Sequence, residues 1–246
     1  MNRPHDDRPG LPPVVLTHGW GGSAARTWRG SLLESALVDA GRTVVAVDLP
    51  GHGPGRASHD PGDYADLAEQ LSATLPSRRP LDAVGFSLGG KLLLRLAADA
   101  PGRFRRLVIL GVGHNAFAPE NAELIATALL DGTPDGAPEE FRTLMTEART
   151  SGNDPHALAA VIRRPTRLLD HAALQRIEAQ VLLVVGEDDP IAGPPDELAA
   201  ALPTGRLVRI PGLGHCATPA APQVQDAVAT FLMAQEDHEL RLGIET

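Results

Sequence analysis

Ser87 stands at the centre of Gly85-Phe86-Ser87-Leu88-Gly89, a Gly-x-Ser-x-Gly spacing. An apolar stretch with Leu81, Ala83 and Val84 precedes it, and a helix-forming run at 91–98 follows. A serine at the tip of a tight strand-to-helix turn is forced into unfavourable backbone angles, and flanking glycines let neighbouring chain approach it closely. Its hydroxyl then projects beside the backbone N–H groups that begin a helix. A serine hydroxyl is a weak nucleophile at neutral pH, so a base must take its proton as it attacks. His215, in Gly214-His215, is the candidate. Imidazole titrates near neutrality and can later return the proton to a leaving group. A carboxylate must hold the second ring nitrogen, and Gly186-Glu187-Asp188-Asp189-Pro190 offers Asp188 and Asp189.

These groups need a scaffold that brings them to one edge. Short apolar runs alternate with helical patterns along the chain, which predicts an α/β fold with a mostly parallel central sheet and helices on both faces. Strands are expected at 14–16, 43–47, up to Gly85, and at 106–111, 181–185 and 206–210. Helices are expected at 29–40, 63–75, 88–100 and 222–234. The alternation breaks between 114 and 174, where only helical segments at 121–130, 138–150 and 155–164 are expected. The domain reading is therefore a core of residues 1–113 and 175–246 with a helical cap inserted at 114–174. In an open parallel sheet, ligands bind beyond the carboxyl ends of the strands. His18-Gly19-Trp20, the Ser87 turn, Asp188-Asp189 and His215 all follow expected strands, so all four clusters meet at that edge.

With 246 residues the chain is long enough for one substantial core. Its net charge of −9, with no basic cluster, argues against nucleic-acid binding. A single cysteine, Cys216, excludes an internal disulfide, and no histidine has a partner at metal-ligand spacing, so neither a metal nor a cofactor is expected. Aromatic residues make up only 3 %, which weighs against an aromatic cage. The polar amino-terminal segment has no apolar signal core and no run is long enough to span a bilayer. A cytoplasmic monomer or homodimer without membrane or nucleic-acid partners is the expectation.

The order Ser, Asp, His and the motifs around them resemble the α/β-hydrolase superfamily, of the small bacterial kind with a helical cap. The resemblance rests on His18-Gly19-Trp20, Asp48-Leu49-Pro50-Gly51-His52-Gly53, Gly85-Phe86-Ser87-Leu88-Gly89-Gly90, Gly186-Glu187-Asp188-Asp189-Pro190-Ile191 and Gly214-His215. It covers the chain outside the cap. It implies a triad of Ser87, Asp189 and His215, with Asp189 preferred to Asp188 because the acid follows the glycine by three positions. It also implies an oxyanion site made by the backbone N–H groups of Leu88 and Trp20. Gly19, Trp28, His114 and Asn115 are candidate pocket residues. His18 and His52 are expected to brace loops, and Cys216 to take no catalytic part.

The function implied is a serine hydrolase acting on a small-to-medium carboxylic ester, thioester or lactone through an acyl-enzyme. A cofactor-free perhydrolase of the haloperoxidase kind and a carbon–carbon bond hydrolase use the same triad. A ligand receptor with residual hydrolysis is a further alternative. Epoxide hydrolases and haloalkane dehalogenases share the scaffold but place Asp where this chain has Ser87.

Overall fold

The computed structural model describes residues 11–55, 57–77 and 80–234. Six strands form one sheet: β1 Val14–Thr17, β2 Val44–Val47, β3 Leu81–Phe86, β4 Phe104–Leu110, β5 Gln180–Gly186 and β6 Gly205–Ile210. Their order is β2-β1-β3-β4-β5-β6 and every adjacent pair is parallel. The helices are α1 Ala24–Thr27, α2 Leu32–Asp39, α3 Leu67–Thr74, α4 Leu88–Asp99, α5 Ala122–Asp131, α6 Glu139–Thr150, α7 Pro155–Arg163, α8 His171–Leu174, α9 Asp196–Ala201 and α10 Pro222–Met233.

Side chains alternate across a strand, and both faces of this sheet are covered. Val15, Ala83, Leu107 and Ile109 enter one core with α3, α4 and the helices between β4 and β5. Val14, Leu16, Val84 and Val108 enter the other with Trp28 and residues of α2 and α10. Burial on both faces explains why these strands read as near-continuous apolar runs. Truncating one of the fully buried leucines, such as Leu107, to alanine would cost about 2–5 kcal/mol.

Local capping sets the boundaries. The helix expected over 29–40 is α2, and it starts only at Leu32 because Ser31 accepts a hydrogen bond from the Glu34 N–H as its N-cap; the short α1 before it was not expected. The helix expected from Asp63 is a short 3-10 turn, Pro61–Tyr64, followed by α3. Between β4 and β5 the described chain is helical, as expected. Among the described residues, no helix is long and apolar enough to cross a membrane.

The strand order turns back at β1, which pairs with β2 on one side and β3 on the other. Loops leaving adjacent strands diverge there, opening a crevice where ligands bind in such sheets. Gly19 and Trp20 follow β1, and Ser87 follows β3.

Candidate active site

Ser87 has φ 50° and ψ −115°, and among the described residues no other non-glycine has a positive φ. Such strain, of about 1–3 kcal/mol, persists only where the surroundings enforce it. Ser87 N–H is held by the Leu110 carbonyl at 2.8 Å, which ties the turn to β4. Glycines make the approach sterically feasible: a Cβ on Gly85 would lie 2.7 Å from Gly90 Cα, and one on Gly89 would lie 2.5 Å from the His18 carbonyl oxygen. Helix α4 therefore starts hard against the end of β1.

His215 Nε2 is 3.0 Å from Ser87 Oγ, and His215 Nδ1 is 2.8 Å from Asp189 Oδ2. Both partners of the second contact are buried. Asp189 Oδ1 accepts the N–H groups of Ile191 and Ala192 at 2.9 and 2.8 Å, which fixes the carboxylate's orientation. With Asp189 accepting at Nδ1–H, the neutral ring presents Nε2 as an acceptor to the serine hydroxyl. Asp188 is exposed and its N–H bonds the Leu213 carbonyl. Burial pushes the Cys216 thiol pKa well up, which disfavours its thiolate beside His215.

The loop after β1 is anchored from beneath. His18 Nδ1 donates to the Gly19 carbonyl at 2.7 Å and its Nε2 accepts the Leu49 N–H at 3.0 Å. His52 Nε2 accepts the Gly21 N–H at 3.1 Å. Burial is the largest cause lowering the pKa of both, His18 to about 4 and His52 to about 3. Both rings are therefore neutral acceptors at pH 7. Asn153, just before α7, donates to the carbonyls of Gly21 and Gly22 at 3.1 and 2.8 Å and accepts the Gly53 N–H at 2.7 Å. Trp20 Nε1 donates to the Leu158 carbonyl at 3.0 Å. Both contacts join the loop to the helical segment between β4 and β5.

A cavity of about 240 Å³ opens over Ser87. Gly19, Trp20, Leu88 and Asn115 are in its wall, together with Ile125, Leu144 and Ile162 from the segment between β4 and β5. Two pocket candidates lie elsewhere. Trp28 is fully buried in the core on the other face of the sheet, packed with Leu33, Leu37 and Val224, since α1 turns its end toward α2 and α10. His114 is exposed, with Nδ1 3.0 Å from Glu197 Oε2, and lies outside the cavity wall. Sequence reasoning missed Asn153, Lys91 and Glu120. The first secures the loop, and the other two are charged residues in an otherwise mainly apolar wall. Of these, Lys91 carried a readable signal, lying one helical turn beyond Ser87.

The sequence profile of the alpha/beta hydrolase family matches residues 14–229. An esterase of Mycobacterium tuberculosis is 33 % identical over 169 residues, covering 65 % of this chain. That match spans about half of the esterase's own length, 54 %. A pimeloyl-(acyl-carrier protein) methyl ester esterase of Aromatoleum aromaticum is 32 % identical over 241 residues, covering 83 % of this chain and 91 % of that one. The crystal structure of a hydrolase from Pseudomonas aeruginosa aligns with a TM-score of 0.72 at 24 % identity, over 93 % of this chain and 92 % of that one. At that identity the likeness speaks to the fold alone. With the profile matching residues 14–229, across all six strands, the chain belongs to the alpha/beta hydrolase family.

Proposed function

We propose that the protein is a serine hydrolase that cleaves a small-to-medium carboxylic ester through an acyl-enzyme on Ser87. The observation that carries this reading is the pair of contacts Ser87 Oγ to His215 Nε2 at 3.0 Å and His215 Nδ1 to Asp189 Oδ2 at 2.8 Å. The strained backbone of Ser87 and the family membership support it.

In this reading His215 takes the hydroxyl proton as Ser87 attacks the ester carbonyl, and Asp189 stabilises the imidazolium that forms. The tetrahedral oxyanion is received by the N–H groups of Leu88 and Trp20. Leu88 is the first residue of α4, so its N–H has no partner inside the helix and adds to the positive helix end. The Trp20 N–H shares its peptide with the Gly19 carbonyl that His18 holds. One such donor contributes about 2.7–4 kcal/mol to the transition state. His215 then returns its proton to the leaving alcohol, and a water deprotonated by the same ring releases the acid. The segment 114–174 serves as a cap, and its Ile125, Leu144 and Ile162 favour an apolar acyl group.

Turnover of a short p-nitrophenyl ester and covalent labelling by a fluorophosphonate test this. Both are expected in the wild type and both are expected to disappear in Ser87→Ala. A folded wild type that neither turns over the ester nor takes the label would refute the reading.

A further inference from the structure

The cavity over Ser87 is lined mainly by apolar residues such as Leu88, Ile125 and Ile162, yet it also contains Lys91 and Glu120. Acyl transfer on Ser87 uses neither. Lys91 follows Ser87 by four residues on α4, one turn or about 6 Å along the axis, and so shares its face of the helix. Its ammonium donates to Glu120 Oε1 at 2.5 Å and to the Asn115 carbonyl at 3.3 Å. The two side chains are 15 % and 19 % exposed. An ammonium carries three donors, so one is left beyond these two partners among the described residues.

A second cavity, of about 230 Å³, adjoins the first, and Lys91, Asn115, Ala118 and Glu120 belong to both walls. The ion pair is thus a partition between an apolar chamber and a polar one. Buried Arg164 lines the polar chamber and acts electrostatically on Glu120. In the apolar chamber Lys91 and Glu120 balance each other in charge, and what the pair leaves unmet there is the third ammonium donor of Lys91. A largely buried ammonium donor without an acceptor costs free energy, more so than a neutral one. A wholly apolar acyl chain would leave it unmet.

We propose that Lys91, positioned by Glu120 and the Asn115 carbonyl, receives a carboxylate at the far end of the substrate's acyl chain, making monoesters of dicarboxylic acids the preferred substrate class. This rests on the hydrolase reading of Ser87. When the carboxylate arrives it takes the remaining ammonium donor, and Arg164 continues to balance Glu120. Glu120 is a positioning residue in this arrangement, since it acts through Lys91.

The test compares kcat/KM for two esters of equal chain length, mono-p-nitrophenyl adipate and p-nitrophenyl hexanoate. A charge-assisted contact of this kind gives the wild type about a tenfold preference for the adipate. In Lys91→Met that preference is expected to fall below one, because Glu120 then faces the carboxylate without its cation. Lys91→Arg is expected to retain it, and Lys91→Gln repeats the neutral arm should the methionine variant fail to fold. A preference no greater in the wild type than in the neutral variants overturns the proposal and leaves the pair a brace between α4 and the segment bearing Glu120. If the wild type turns over neither ester and Ser87 resists a fluorophosphonate, the hydrolase reading falls and this one with it. Turnover of hexanoate without a preference overturns the carboxylate site alone.

Discussion

Nδ1 of His18 lies 2.7 Å from the carbonyl oxygen of Gly19, its own neighbour in the chain. A trans peptide points its carbonyl and the next N–H in opposite directions, so holding the Gly19 oxygen also aims the Trp20 N–H. The Leu49 N–H at Nε2 fixes the ring from its other side. His18 thus governs the direction of the amide proposed to receive the oxyanion. Losing an oxyanion donor outright costs on the order of 10²–10³ in kcat, and loosening one costs less. His18→Ala is expected to lower kcat about 10- to 100-fold with a much smaller change in KM, read by steady-state ester hydrolysis. An unchanged kcat in the folded variant would remove His18 from the positioning of that amide.

The same neutral histidines make stability depend on pH. His18 titrates at about 4 in the folded chain and near 6.5 when unfolded, chiefly because burial disfavours its charged form. Between those values the unfolded chain binds the extra proton, so stability falls as pH falls from about 6.5 toward 4. The limiting slope for His18 is about 1.4 kcal/mol per pH unit. His52, lowered to about 3 by burial and then by its neighbour His18, acts in the same direction. Urea midpoints taken from pH 7 down to 5 are expected to decline, and to decline less steeply in His52→Gln. Parallel pH profiles for the two proteins would contradict this origin.

Asp189 and Asp188 are adjacent in sequence and opposite in environment. Asp189 is buried on three hydrogen bonds, one of them to His215, whereas Asp188 is exposed. Replacing a triad carboxylate by an amide leaves the geometry but favours the wrong imidazole tautomer, a loss on the order of 10⁴ in kcat in the serine-protease template. Asp189→Asn is therefore expected to lose roughly 10³–10⁴ in kcat, and Asp188→Asn to remain within about twofold. Rates of fluorophosphonate labelling should follow the same split. Comparable losses in the two variants would mean that the carboxylate roles are wrongly assigned.

The scaffold was legible because the central strands β1, β3, β4 and β5 are mainly apolar runs buried on both faces and bounded by turn residues. The Ser87 turn was legible for a related reason, since its glycines and following helix are contiguous in sequence. What failed to show was long-range pairing. Lys91 meets Glu120 across 29 positions, and Asn153 reaches Gly53 across 100. Neither polar residue carries a local pattern that names its partner. Trp28, a candidate pocket residue by sequence, is instead carried by α1 into the core on the other face of the sheet. Helix α9 was overlooked because its six residues are too few to display a periodicity.

Asn153 offers a sharp test of how the helical segment between β4 and β5 supports the site. Its amide nitrogen donates to two carbonyls, those of Gly21 and Gly22, while its oxygen accepts the Gly53 N–H. One side chain thus pins the loop after β1 to the loop after β2. Asn153→Ala removes all three bonds, each contributing about 1 kcal/mol net. Asn153→Asp keeps the acceptor for Gly53 but turns the donating atom into a second oxygen facing two carbonyls, which repel it. A steric role would rank the aspartate variant, nearly identical in shape, above alanine. The hydrogen-bond role predicts that Asn153→Asp is no better than Asn153→Ala, with kcat/KM down about tenfold and faster amide exchange at Gly21 and Gly22 in both. An aspartate variant that retains wild-type kcat/KM and exchange would show that the amide donors do not hold this loop.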